Sequence, residues 1–142
     1  MSERIGGRCL ELVTGTLDPE YLMQQITVTA IWLRAIGIDQ VFVEYGWGCN
    51  LDAGSLWQKQ EVSLENLGQF ATQAAAAGVF RPGGADLIVS EMSGSFQIIF
   101  CHESDIHIKT ESLALLDTAR TEWARQGISS KRKTEDGSWV AA

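Results

Sequence analysis

Apolar positions in this chain recur with two different periods, and the change from one to the other marks out its elements. Between Asp18 and Gly37, Leu22, Ile26, Leu33 and Ile36 fall at helical spacing with Thr29 or Ala30 on the same side, which predicts an amphipathic helix of about five turns. Asp18 can accept an orphan backbone N–H, Pro19 suits the first helical position, Glu20 complements the helix dipole, and Gly37 supplies the left-handed residue that ends the helix. Trp32 lies off the stripe and is expected to meet a second packing surface. The pattern then becomes continuous: Gln40 to Tyr45 is β-branched and aromatic without a breaker and reads as a strand.

Gly46 to Gln60 is rich in Gly, Asn and Asp yet carries Trp47, Leu51, Leu56 and Trp57. Such a segment is expected to fold back as a poorly patterned strand or as an ordered loop with aromatic contacts, and Trp47 and Trp57 are candidates for touching a partner. Ser63 can cap a second helix that runs through Ala74 to Ala77 and stops at Gly78, with Leu64, Leu67, Phe70 and Ala74 on one side. Arg81-Pro82-Gly83-Gly84 forces a turn.

The densest run of β-favouring residues is Asp86 to Lys109. Asp86–Met92 and Phe96–Cys101 flank Ser93-Gly94, a two-residue hairpin connection, and that turn places Asp86 opposite Cys101. A second turn at Glu103-Ser104 is expected to pair His102 with Asp105, Cys101 with Ile106 and Phe100 with His107. The result is a three-stranded meander. Thr110 then caps a helix over Glu111–Gln126 whose core face is Leu113, Leu116, Ala119 and Trp123, closed by Gly127. The segment before Asp18 suits a short strand or a helical turn equally well.

Helix, strand, helix, three strands and helix in that order predict an α+β fold. Its sheet is largely antiparallel, a three-stranded meander plus at least one further strand, with about three helices packed mainly on one face. Phe42, Val43, Leu87, Val89, Ile98 and Phe100 are the expected centre of the core. Residues 1–128 read as one domain. Residues 129–142, with the basic triplet Lys131-Arg132-Lys133, read as a polar tail in which Trp139 is the candidate docking residue.

Composition changes this picture only in part. Of the 142 residues 45% are hydrophobic and 20% charged, which suits a folded domain, and no apolar run approaches the ~20 residues of a membrane span. The start of the chain lacks the unbroken apolar run of a secretory leader, so a cytoplasmic location is expected. A net charge of −7 disfavours nucleic acid, which needs clustered Lys and Arg, and favours a basic protein partner. Cys9, Cys49 and Cys101 have no metal-ligand spacing and read as reduced thiols packed as small apolar side chains.

Candidate chemistry is confined to Cys101, His102, Glu103, Asp105 and His107. Each can bind a metal or move a proton, but alternate side chains of a strand diverge, and the expected register sets His107 beside Phe100 as a structural histidine. GxGxxG, GxxxxGK[ST], GxSxG and HExxH are absent. The expected function is therefore a small acidic protein-binding domain without catalysis or cofactor, neutralising or regulating a basic partner in the manner of an immunity protein. Its contact residues would be Asp86, His102, Glu103, Asp105, Trp47 and Trp57. The alternative is a small hydrolase or metal-dependent enzyme centred on His102, Glu103, Asp105 and His107.

Overall fold

The computed structural model describes residues 9–46, 59–78, 80–81, 83–91 and 93–142. The chain runs β1 (Leu10–Thr14), α1 (Pro19–Ala35), β2 (Gln40–Gly46), β3 (Gln60–Ser63), a 3-10 turn (Leu64–Asn66) and α2 (Leu67–Ala76). It continues through β4 (Asp86–Ser90), β5 (Phe96–Phe100), β6 (Ile106–Thr110), α3 (Leu113–Arg125), β7 (Ser130–Lys133) and β8 (Trp139–Ala141). Every adjacent pair of strands is antiparallel, in the order β3-β2-β4-β5-β6-β1-β7-β8. This is the predicted α+β arrangement. The undecided N-terminal segment is strand β1, and α1 carries the chain from β1 over the meander to β2.

The first helix begins as its sequence predicts, with the Asp18 carboxylate accepting the Glu20 backbone N–H at 3.0 Å and Pro19 at the first turn. Its end is a paired hydrogen-bond motif around Gly37, whose φ is +99°: Gly37 N–H donates to Arg34 O and Ile38 N–H to Leu33 O. The third helix differs from expectation at its start. Thr110 still belongs to β6, and the hydroxyl of Ser112 is the cap, accepting the Leu115 N–H at 3.1 Å. The helix is therefore rotated relative to the predicted stripe, so Leu115 is buried and Leu113 is 62% exposed. In α1 likewise, Trp32 is buried and Ile36 is exposed.

One row of partners shows where the core sits. Val43, Val89, Ile98, Ile108 and Leu12 face one another across five strands, and each is fully buried. Buried residues from all three helices join this row in a single cluster, so the helices cover this face of the sheet. Helix α2 reaches α1 through Gly68, where an added Cβ would stand 2.4 Å from Thr27 Oγ1. Phe42, expected in the core, lies in β2 between Val41 and Val43 and so points to the other face. It is half-buried there, with Lys59 Nζ 5.5 Å from its ring centre.

Residues 130–141 form a hairpin that pairs with β1 through Leu12, Val13 and Thr14. Trp139 remains 41% exposed and lies with its ring 5.8 Å from Lys133 Nζ. Among the described residues no helix is long and apolar enough to cross a membrane.

Candidate functional site

The site is built by two consecutive turns of different length. At the first, Gly94 takes φ +81° and donates to Glu91 O at 2.9 Å, which fixes the pairing of Leu87 with Phe100 and Val89 with Ile98. Continued by one step, this register brings Asp86 opposite Cys101, as the two-residue turn predicts. The second turn is one residue longer than expected. Cys101 N–H donates to Asp105 O at 2.8 Å, Ser104 N–H donates to Cys101 O at 2.9 Å, and Ser104 occupies the left-handed region at φ +69°. This is a three-residue loop, His102-Glu103-Ser104, with its third residue left-handed.

A shift of one residue transfers every side chain of β6 to the opposite face. Phe100 faces Ile106, and His107 faces Ile99 and Val13 in place of Phe100. The histidine expected beside an apolar ring of the core therefore lies on the face opposite the described helices. His102 belongs to the loop and is not a strand partner of Asp105. Two contacts hold the loop on the body of the protein: Leu17 N–H donates to Ser104 O at 2.7 Å, and Ile106 N–H donates to the Thr14 hydroxyl at 3.0 Å.

Cys101 is the centre of the resulting cluster. On one side Asp86 Oδ1 accepts the backbone N–H of His102 at 2.6 Å and lies 2.8 Å from its ring Nδ1. On the other, His107 Nε2 lies 2.9 Å from Asp105 Oδ1. The Cys101 sulfur is 3.8 Å from His102 Nδ1 and accepts the Glu103 N–H at 3.4 Å. Potential ligand atoms of Asp86, Cys101 and His102 all lie within 4.8 Å of one another, and so do those of Cys101, Asp105 and His107. Cys101 is 8% exposed, yet it is outside the main core cluster. Burial pushes its thiol up to about 12; the charges of Asp105, Asp86 and Glu103 add to the rise, and the Glu103 backbone N–H opposes it.

Of the residues expected to form a site, Asp86, His102 and Asp105 thus come together, each aspartate against a histidine. Glu103 stands exposed at the tip of the loop, and its backbone N–H rather than its carboxylate bonds Cys101. Trp47 and Trp57 lie outside the described residues. Sequence reasoning missed the central place of Cys101, although its position two residues after Ile99 is the signal that sets it on the side opposite the described helices.

That side carries a second row of partners: Glu44, Ile88, Ile99, His107 and Val13, all half-buried. Beside it run Phe42, Ser90, Gln97, Lys109 and Glu11. Glu11 holds Lys109 at 3.8 Å and Lys133 at 3.2 Å. The face is consequently apolar at its middle, acidic at the Asp86–Asp105 hairpin end, and of mixed charge elsewhere, where Lys131 lies opposite Val13 and Lys59, Lys109 and Lys133 lie beside Phe42 and Glu11. Compared with protein-family models, curated proteins and solved structures, the chain matches none.

Proposed function

We propose that this chain is a non-catalytic protein-binding domain whose sheet face opposite the described helices receives a partner with an apolar centre and a basic patch that meets the acidic hairpin end. The observation that carries the reading is the row Glu44, Ile88, Ile99, His107 and Val13, which crosses five strands on the side opposite the three described helices. An apolar centre with charged margins is the layout of a protein interface. Glu44 lies at one end of the row and Lys131 at the other, and Asp86, Glu103 and Asp105 gather at the hairpin end. Their charge, together with the net −7 of the chain, selects Lys and Arg on the partner and speeds its approach.

The test is native mass spectrometry of the tagged chain purified from its own host at low and at high salt. A basic protein bound in fixed stoichiometry is expected, lost in Ile99→Lys and retained in Thr72→Lys, which changes the exposed side of α2. Thermal melting of both variants confirms that the fold is intact. A partner that survives Ile99→Lys in a folded chain, or a wild-type chain recovered without one, overturns the proposal.

A further inference from the structure

We infer that Cys101 is the centre of a binding site for one thiophilic divalent ion of the zinc class, held with the two Asp–His pairs that flank it. Three features of the geometry lead to this. The donors lie in two trios that share the Cys101 thiol, each adding one imidazole and one carboxylate, a mixture of soft and borderline ligands that suits Zn²⁺ and disfavours the hard, oxygen-seeking Mg²⁺ or Ca²⁺. The spacing also fits: ligands ~2.0 to 2.3 Å from a tetrahedral ion stand roughly 3.3 to 3.8 Å apart. The Cys101 sulfur lies 3.8 Å from His102 Nδ1, and both candidate trios that share Cys101 close within 4.8 Å.

The third feature is how the ligands are held. Asp86 is fixed by the backbone N–H of His102, and its carboxylate meets the His102 ring at 2.8 Å; Asp105 meets the ring of His107 at 2.9 Å. Each carboxylate thus lies beside a ring nitrogen, so that each trio offers a sulfur, an imidazole nitrogen and a carboxylate oxygen together. An ion bound beside Cys101 by the sulfur and a ring nitrogen requires a thiolate and a neutral imidazole, so the thiol proton is released to solvent on binding. The loop responsible is the one whose extra residue moves His107 to the same face as Cys101 and Asp86. With a two-residue turn, His107 would point into the core and the set could not assemble.

The experiment uses the full-length chain carrying Cys9→Ser and Cys49→Ser, so that Cys101 is its sole thiol. The probes are ZnCl₂, measured by isothermal titration calorimetry and metal analysis after desalting, and CoCl₂, measured by absorption. One Zn²⁺ per chain is expected, with a thiolate-to-cobalt charge-transfer band in the near ultraviolet. Cys101→Ser should abolish that band, and His102→Ala and His107→Ala should each weaken Zn²⁺ binding at least ~10-fold. Should Cys101→Ser fail to fold, the cobalt spectrum of the parent chain and the two histidine variants decide. Stoichiometric Zn²⁺ without a thiolate band, full affinity in both histidine variants, or no Zn²⁺ retained by the parent chain overturns the assignment.

Discussion

The side-chain amides of Gln25 and Gln126 meet at 2.7 Å, across a separation of 101 positions in the sequence. Gln25 lies on the buried side of α1 and is 1% exposed, while Gln126 follows the last turn of α3 and donates its own N–H to Glu122 O at 3.1 Å. Gln25 Oε1 has no hydrogen-bond partner among the described residues. Removing a partner from a buried polar group costs more than replacing the group with an apolar one of similar shape. Gln126→Ala, which strands the Gln25 amide, should therefore cost about 1 to 3 kcal/mol. Gln25→Met should cost less than Gln126→Ala or nothing, because it also removes the unsatisfied oxygen. Urea denaturation of both variants gives the comparison, and the reverse order would show that the amide pair does not hold α1 to α3.

Ser104 offers a stabilising change. Its φ of +69° places an L side chain in the left-handed region, at a cost of roughly 1 to 2 kcal/mol. Ser104→Gly removes that strain but adds entropy to the unfolded chain, about 0.5 to 1 kcal/mol, so a net gain of about 0.5 to 1 kcal/mol is expected. Ser104→Val should destabilise, since a β-branched residue tolerates this conformation least. A higher denaturation midpoint with an unchanged slope for the glycine variant is the expected result. A lower midpoint would mean that the serine hydroxyl matters more to the loop than its backbone strain does.

The same residue explains why the sequence discloses one turn and conceals the next. Ser93-Gly94 announces a left-handed residue, and the turn at Gly94, closed by the Glu91 N–H on Phe96 O, keeps the expected pairing from Leu87 to Phe100. His102-Glu103-Ser104 contains no glycine, so nothing local distinguishes a two-residue from a three-residue connection, and that single position decides the face on which His107 lies. The first helix is legible because its caps and stripe are local signals. Strand β3, Gln60-Glu61-Val62-Ser63, has one apolar residue and is a strand because β2 pairs with it. Strand β7, Ser130-Lys131-Arg132-Lys133, exists through its pairing with β1, and its charges suit its place near an edge of the sheet. Cys101 is indistinguishable in sequence from a small core residue; only the register shows the two aspartates beside it.

An electrostatic prediction concerns the β7–β8 hairpin. The Asp136 carboxylate accepts the Thr134 hydroxyl at 2.5 Å and the Ser138 backbone N–H at 2.9 Å. These bonds, that of Thr134 foremost, hold its pKa at about 2, below the usual 3.8. A lowered folded-state value gives stabilisation that is present above the unfolded value and lost as pH falls from about 4 towards 2. The hairpin should loosen over that window, and Asp136→Asn should remove most of the dependence. Amide chemical shifts of Ser138 and Trp139 followed through an acid titration provide the measurement. A midpoint for Asp136 near 4 would show that the carboxylate does not hold the turn.

The Cys101 thiol makes the opposite prediction at alkaline pH. In the metal-free chain burial and the neighbouring carboxylates lift its pKa from 9.0 to about 12, so the folded state keeps a proton that the unfolded state gives up. A raised folded-state value stabilises fully below the unfolded value, and the contribution declines as pH rises from about 9 to about 12. Urea midpoints of the native chain should fall across this window more steeply than those of Cys101→Ser. The same protonation makes the thiol a poor nucleophile, because the thiolate is the reactive form. Iodoacetamide at neutral pH should therefore modify the exposed Cys9 and leave Cys101 intact until urea unfolds the chain, as read by peptide mapping. Equal modification of the two under native conditions would mean that the Cys101 sulfur is open to solvent, and the expected alkaline decline would then disappear with it.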